Sequence, residues 1–334
     1  MPLIDKPLAE LRHYTGTNPR PADFEAYWRQ ALDELDATPP RAEFVRTPVI
    51  TPAGAEAFDL WFTGVGGARI HAKYLRPGSN SAGGSGPHPA ILQFHGYAQH
   101  SGDWTDKLAW VNEGFCIAAM DCRGQGGQSD DVGGAQGNTH LGHIVRGLED
   151  PDPHKLLFRS IYLDTVQLAR VVMALPEVDG GRLASFGGSQ GGGLALACAA
   201  LEPRIQRVAS VYPFLCDFQR VWEMDLAQDA YVELRHHFRL RDPLHLRESD
   251  TFTRLGYIDI QHLAPRIQAE VLMFTGLMDT VCPPSTQFAA YNKITAAKNV
   301  VIYPDFGHEN LPGVVDHTLN FLQGRARDQS VSMP

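Results

Sequence analysis

The chain has 334 residues, 43% apolar and 20% charged, which allows a sizeable buried core and excludes a disordered chain. Thirty-eight acidic residues against 29 basic ones give a formal charge of −9, which argues against nucleic acid or anionic membrane as the main partner. The apolar runs are strand-sized, well short of the ~20 residues of a membrane span, and the first residues lack the charged and apolar blocks of an export signal.

Pro21 opens an amphipathic helical pattern over 21–36, with Phe24, Trp28, Ala31, Leu32 and Leu35 on one face, and Pro39-Pro40 stops it. Three β-like runs follow at 43–50, 57–63 and 68–76, and Gly64, Gly66 and Gly67 between the last two mark a hairpin. Residues 77–89 read as a Gly/Ser/Pro-rich surface loop. The pattern then changes. Runs apolar on both faces at 89–94, 115–120, 183–187, 207–212, 270–275 and 299–303 suit central strands of a parallel sheet. Helical patterns at 160–175, 190–201, 284–294 and 312–323 alternate with them. Residues 213–268 break the rhythm with a high density of Arg, Asp and Glu, and read as a helical insertion over the sheet.

These elements predict one α/β domain, a doubly wound and mostly parallel sheet. It carries an N-terminal helix and β extension over 1–76, a cap insertion over 213–268 and a flexible tail at 325–334. Cys116, Cys122, Cys198, Cys216 and Cys282 are odd in number, never form Cys-x-x-Cys, and sit mostly among apolar neighbours. They read as free thiols in a reducing cytoplasm, with no structural zinc site.

Gly187-Gly188-Ser189-Gln190-Gly191 lies between a predicted strand and a predicted helix, the G-x-S-x-G pattern of a nucleophile elbow. A tight turn lifts the serine hydroxyl above the sheet edge, flanking glycines let strand and helix approach, and the helix N-terminus favours developing negative charge. Alone, the motif also fits a serine that merely caps a helix. A nucleophile needs a base and an orienting carboxylate, in this fold in the order Ser, Asp, His. Asp279 stands just past the run at 270–275 and His308 just past 299–303, both at strand carboxyl ends. Asp305 is a rival acid, and His317 falls in a helical pattern that leaves it exposed.

An oxyanion hole completes the set. His95-Gly96-Tyr97 follows the run at 89–94 and offers the Tyr97 N–H, while Gln190 offers the N–H next to the nucleophile. His95 itself reads as structural. In Thr280-Val281-Cys282-Pro283-Pro284 two prolines stiffen a wall where Val281 either lines an acyl pocket or simply packs.

Other patterns fall short. Arg123-Gly124-Gln125-Gly126-Gly127 lacks the third glycine of a dinucleotide loop, replaced by Ser129, and reads as a turn held by the Arg123 guanidinium. His308-Glu309 opens like H-E-x-x-H, but Pro312 stands where the second His belongs. His140 with His143 has no third ligand, and His236-His237 reads as solvated. No metal or organic cofactor is implied.

The opening MPLIDKPLAELRHYTG and NPRPADFEAYW, then HGY, RGQGG, IYLD, GGSQGGG, YPFLCDF, GLMDTVCPPST and FGHE, resemble the carbohydrate esterase family of acetyl xylan esterases and cephalosporin C deacetylases. The resemblance runs from residue 1 to about residue 323. It implies an α/β-hydrolase that removes short acyl groups, chiefly acetate, from sugars and acetylated cephalosporins through an acyl-enzyme. It also implies Ser189 as nucleophile, His308 as general base, Asp279 as orienting acid, Tyr97 and Gln190 at the oxyanion hole, and a homo-hexamer whose sites face an internal cavity. LLFRSIYLD and AQHSGDW depart from the family pattern, which bears on substrate shape. Two other readings compete. A serine peptidase of the prolyl oligopeptidase type needs a propeller, and about 75 residues before the first central strand are too few for one. A non-catalytic hydrolase-fold binding module commonly lacks a triad residue, and here all three are present.

Overall fold

The computed structural model describes residues 4–78, 86–132 and 143–324. His140, most of the loop expected at 77–89 and the tail expected at 325–334 lie outside the described residues. The chain opens with the short helix α1 (Leu8–Leu11) and the amphipathic helix α2 (Phe24–Asp36), then runs through three strands, β1 (Glu43–Arg46), β2 (Ala55–Thr63) and β3 (Arg69–Pro77). Next come β4 (His88–Phe94), helix α3 (Leu108–Asn112), β5 (Cys116–Met120), helix α4 (Leu157–Met173), β6 (Val178–Gly188), helix α5 (Gln190–Leu201) and β7 (Arg207–Val211). Four helices, α6 (Phe218–Glu223), α7 (Val232–Arg241), α8 (Glu248–Leu255) and α9 (Ile260–Leu263), precede β8 (Glu270–Gly276). The chain closes with α10 (Pro284–Lys293), β9 (Lys298–Tyr303) and α11 (Val314–Leu322).

One nine-stranded sheet has the order β1-β2-β3-β5-β4-β6-β7-β8-β9. From β5 onward every pairing is parallel, with Ile91 of β4 beside Ile117 of β5 and Ala184 of β6. The N-terminal hairpin is no appendage. β3 pairs antiparallel with β5, Ala72 beside Met120 and Leu75 beside Ile117, so 43–77 forms the antiparallel edge of the main sheet.

Side-chain alternation explains why the central strands are apolar throughout. Ala90, Leu92 and Phe94 of β4 face the larger core with α2, α4 and α5, while Ile91 faces a second core with Trp110 of α3 and Phe321 of α11. α5 is buried at every position, which fits its run of Gly, Ala and Leu.

The 213–268 segment is helical, but its charge conceals a deep anchor. Phe218, Tyr231, Leu234, Phe238, Phe252 and Leu255 are all buried in the larger core. Trp28 of α2 donates its indole N–H to the Tyr257 carbonyl at 3.0 Å, joining the N-terminal helix to this insertion. His237 is buried, contrary to the solvated reading of His236-His237, because it lies on the inner side of α7; His236 is exposed. Among the described residues no helix is long and apolar enough to cross a membrane.

Candidate active site

β6 delivers Ser189 to its carboxyl end and α5 begins at the next residue. Ser189 sits at φ 56°, ψ −121°, a strained conformation for a residue with a side chain. The elbow is tied on three sides: the Ser189 N–H donates to Val211 O at 2.9 Å, and its carbonyl accepts from Gly193 and Phe214 at 3.1 and 3.0 Å. A Cβ at Gly191 would lie 2.0 Å from Phe94 O, so only glycine lets the elbow close on β4.

The two parallel strands beyond β7 bring the other groups to the same edge. The His308 Nε2 lies 3.0 Å from Ser189 Oγ, and its Nδ1 lies 2.9 Å from Asp279 Oδ2. Asp279 is buried, and its Oδ1 accepts the Val281 and Cys282 amides at 2.9 and 2.7 Å. Those amides and the Gln287 side-chain amide, 3.4 Å from Oδ2, hold the carboxylate toward His308, whose side chain is 21% exposed. Asp305, after β9, and His317, on α11, are both exposed. Cys282 borders the serine, but burial pushes its thiol well above the usual range, so it stays protonated.

Tyr97 and Gln190 lie at the ends of the two segments that flank the serine, and neither N–H donates to an acceptor among the described residues. His95 is structural, as expected. Its Nε2 accepts the Cys122 amide at 3.0 Å and its Nδ1–H donates to Gly96 O at 2.7 Å, while burial lowers its pKa and keeps it neutral. Val281 is half-buried against the larger core, with its amide on Asp279.

Several contributors escaped the sequence reading. The Tyr97 hydroxyl donates to Glu233 of α7, and Glu233 also accepts the Ile144 amide at 3.0 Å, so the insertion clamps the loop after β4. The buried Lys107 ammonium donates to the carbonyls of Ser101 and Asp103 in the same loop, and burial lowers its pKa to about 8. The Tyr212 ring centroid lies 4.4 Å from that of His308, and the Tyr212 backbone takes φ 33°. The Arg123 guanidinium does hold its turn, by partners outside it. It reaches both oxygens of Asp164 on α4 at 2.6 Å and the Val65 carbonyl at 3.2 Å, fastening the loop after β5 to a helix and a hairpin.

The acetyl xylan esterase family model matches residues 1–325. This chain belongs to that family. It is 56% identical to the acetyl xylan esterase 1 structure from Thermoanaerobacterium sp. JW/SL YS485, with a TM-score of 0.91 over 96% of this chain and 99% of that one. An acetyl xylan esterase structure from Paenibacillus sp. R4 aligns with a TM-score of 0.89 at 34% identity, over 96% of this chain and 99% of that one. The acetyl esterase Axe7A of Xylanibacter ruminicola is 28% identical over 306 residues, 88% of this chain. The alignment spans 64% of that curated relative's length. The family is one of carboxylic ester hydrolases, and its members share the α/β-hydrolase fold described above.

Proposed function

We propose that this family member is a serine esterase that removes acetyl groups from acetylated xylo-oligosaccharides and related sugars. The observation that carries the reading is the continuous chain from Ser189 Oγ through His308 to the buried Asp279, at 3.0 and 2.9 Å. In the mechanism, His308 Nε2 takes the proton as Ser189 Oγ forms a bond to the acetyl carbonyl carbon. The Tyr97 and Gln190 amides receive the oxyanion. The carbonyl reforms, the C–O bond to the sugar breaks, and the imidazolium returns its proton to the departing sugar oxygen. Water then gives a proton to His308 and attacks the acetyl carbonyl; the C–Oγ bond breaks, His308 returns the proton to Ser189 Oγ, and acetic acid leaves. Asp279 fixes the His308 tautomer and stabilises the imidazolium.

Cephalosporin C carries an acetate ester of similar size and is an incidental substrate of the same site. The peptidase reading loses ground because residues before β4 build an edge of the sheet and no propeller among the described residues. The binding-module reading loses ground because the triad groups are connected. Five free, buried cysteines support a cytoplasmic location. Self-association is supported by Leu240, Leu244 and Leu246, which are 76, 76 and 81% exposed in the insertion, and the family resemblance makes a hexamer its form. Light scattering should give a multiple of the chain mass, and a monomer would reject the assembly.

The decisive test measures free acetate from acetylated xylo-oligosaccharides. Wild type should release it, and folded Ser189→Ala should lose roughly 10⁴-fold or more in kcat. Retention of more than a few per cent by the alanine variant would remove Ser189 from the mechanism.

A further inference from the structure

The RGQ motif has no place in the mechanism above, yet its glutamine bridges the Gln190 side chain and the Ala98 amide. Gln125 and Gln190 are both fully buried. Their side-chain amides face each other in a reciprocal pair: Gln125 Nε2 donates to Gln190 Oε1 at 2.8 Å, and Gln190 Nε2 donates to Gln125 Oε1 at 2.9 Å. Gln125 Oε1 also accepts the backbone N–H of Ala98 at 3.1 Å. Ala98 follows Tyr97, and Gln190 follows Ser189, so the pair spans the two segments that each carry one oxyanion amide.

The surroundings fix the pair further. Gln190 Nε2 also approaches His95 O at 3.4 Å and Cys122 Sγ at 3.6 Å. The Gly126 amide, next to Gln125, donates to Gln99 O at 2.9 Å, and a Cβ there would meet Ala98 O at 2.9 Å. The RGQGG turn therefore abuts the loop after β4, and Gln125 continues across to α5. Two parallel N–H···O bonds define both separation and plane, which a single contact would not.

We propose that Gln125 is a positioning residue which acts through the Gln190 side chain to set the spacing and direction of the Tyr97 and Gln190 amides. This rests on the esterase mechanism proposed above. Donors aimed at the oxyanion act where charge develops, so misalignment costs the transition state more than the bound ester. Gln125 is fitted to the task by length and by having both a donor and an acceptor. Asparagine is one methylene short, leucine fills the space with neither bond, and a glutamate carboxylate sets two oxygens face to face. A neutral glutamic acid restores a donor, which gives the pair a distinctive pH signature. The nearby groups do not compete in that range. Burial holds the Cys122 thiol well above its usual range and keeps His95 neutral; burial would also raise Asp121, but hydrogen bonds from His71 and the Gln128 and Ser101 amides hold it below.

The test uses the full chain with p-nitrophenyl acetate, kcat counted per active site titrated. Gln125→Leu should lower kcat roughly 10- to 100-fold, leave KM within about threefold, and weaken a trifluoromethyl ketone inhibitor in parallel with kcat/KM. Gln125→Glu, which keeps the shape if the leucine variant does not fold, should show a new alkaline fall in kcat, absent from wild type. Gln190→Leu combined with Gln125→Leu should cost little more than either alone. A leucine variant with kcat within twofold of wild type, or a glutamate variant whose pH profile parallels wild type, overturns the proposal. Failure of the esterase reading looks different, because wild type itself would then fail to turn over acetate esters or Ser189→Ala would remain active.

Discussion

At the residue scale, burial and reach separate the two candidate acids. Asp279 and Asp305 are both carboxylates at the carboxyl ends of neighbouring strands, and only the first is buried, its Oδ1 held by two backbone amides and its Oδ2 turned to His308. Asp305, three positions before the imidazole, sits on the exposed outer side of the same turn. In Asp279→Asn the amide no longer stabilises the imidazolium and can hold the wrong tautomer, so kcat should fall by about 10³- to 10⁴-fold. Asp305→Asn should change it less than about twofold, since a surface substitution away from the site perturbs little. The two variants are compared by kcat with p-nitrophenyl acetate at matched thermal stability. Greater damage from Asp305→Asn would reverse the assignment.

At the element scale the insertion is held by a buried acidic pair. Asp217 accepts the Tyr14 hydroxyl at 2.7 Å and the Asn18 amide at 2.8 Å, and its own amide donates to Asp259 at 3.0 Å. The N-terminal segment and the start of α9 thus meet at α6. Burial, and next the charge of Asp217, push Asp259 up to about 7. Folded Asp259 therefore binds its proton more tightly than the unfolded carboxyl near ~4. Its contribution to stability is fully present below that unfolded value and is lost as pH rises through about 7. Thermal melts should show a Tm that declines between pH ~4 and ~7 in wild type, and less so in Asp259→Asn. An identical slope in both proteins would assign the decline elsewhere.

At the scale of the whole molecule, a rigid wall and a fixed cap converge on the serine. Asp279, Val281 and Cys282 are linked amide by amide, and Pro283-Pro284 follow them into α10. The Tyr212 ring lies against His308, and Glu233 reaches down from α7 to the Tyr97 hydroxyl. A long acyl chain would need an apolar groove, in which each buried methylene contributes about 0.8 kcal/mol. The buried aromatic residues of the insertion are instead committed to the core. A p-nitrophenyl ester series from acetate to octanoate, read as kcat/KM, should fall steeply beyond three carbons. A maximum at butyrate or longer would reject the deacetylase reading.

The sequence by itself determined the alternation of apolar strands and helices, the family pattern and the order Ser189, Asp279, His308, because strand burial, glycine turns and chain order leave local signatures. Helix α3 was not legible: five residues give too little periodicity. The amphipathic pattern at 21–36 was, although the helix itself begins at Phe24. What only the tertiary structure decided are contacts between residues far apart in the chain. Arg123 could reach Asp164 only once α4 packed beside β5, and His237 became buried only when α7 settled on the core. Gln125 and Gln190 are 65 residues apart, and nothing in either neighbourhood names the other. Polar side chains carry no period of their own, so their partners are set by how the sheet brings strand ends together.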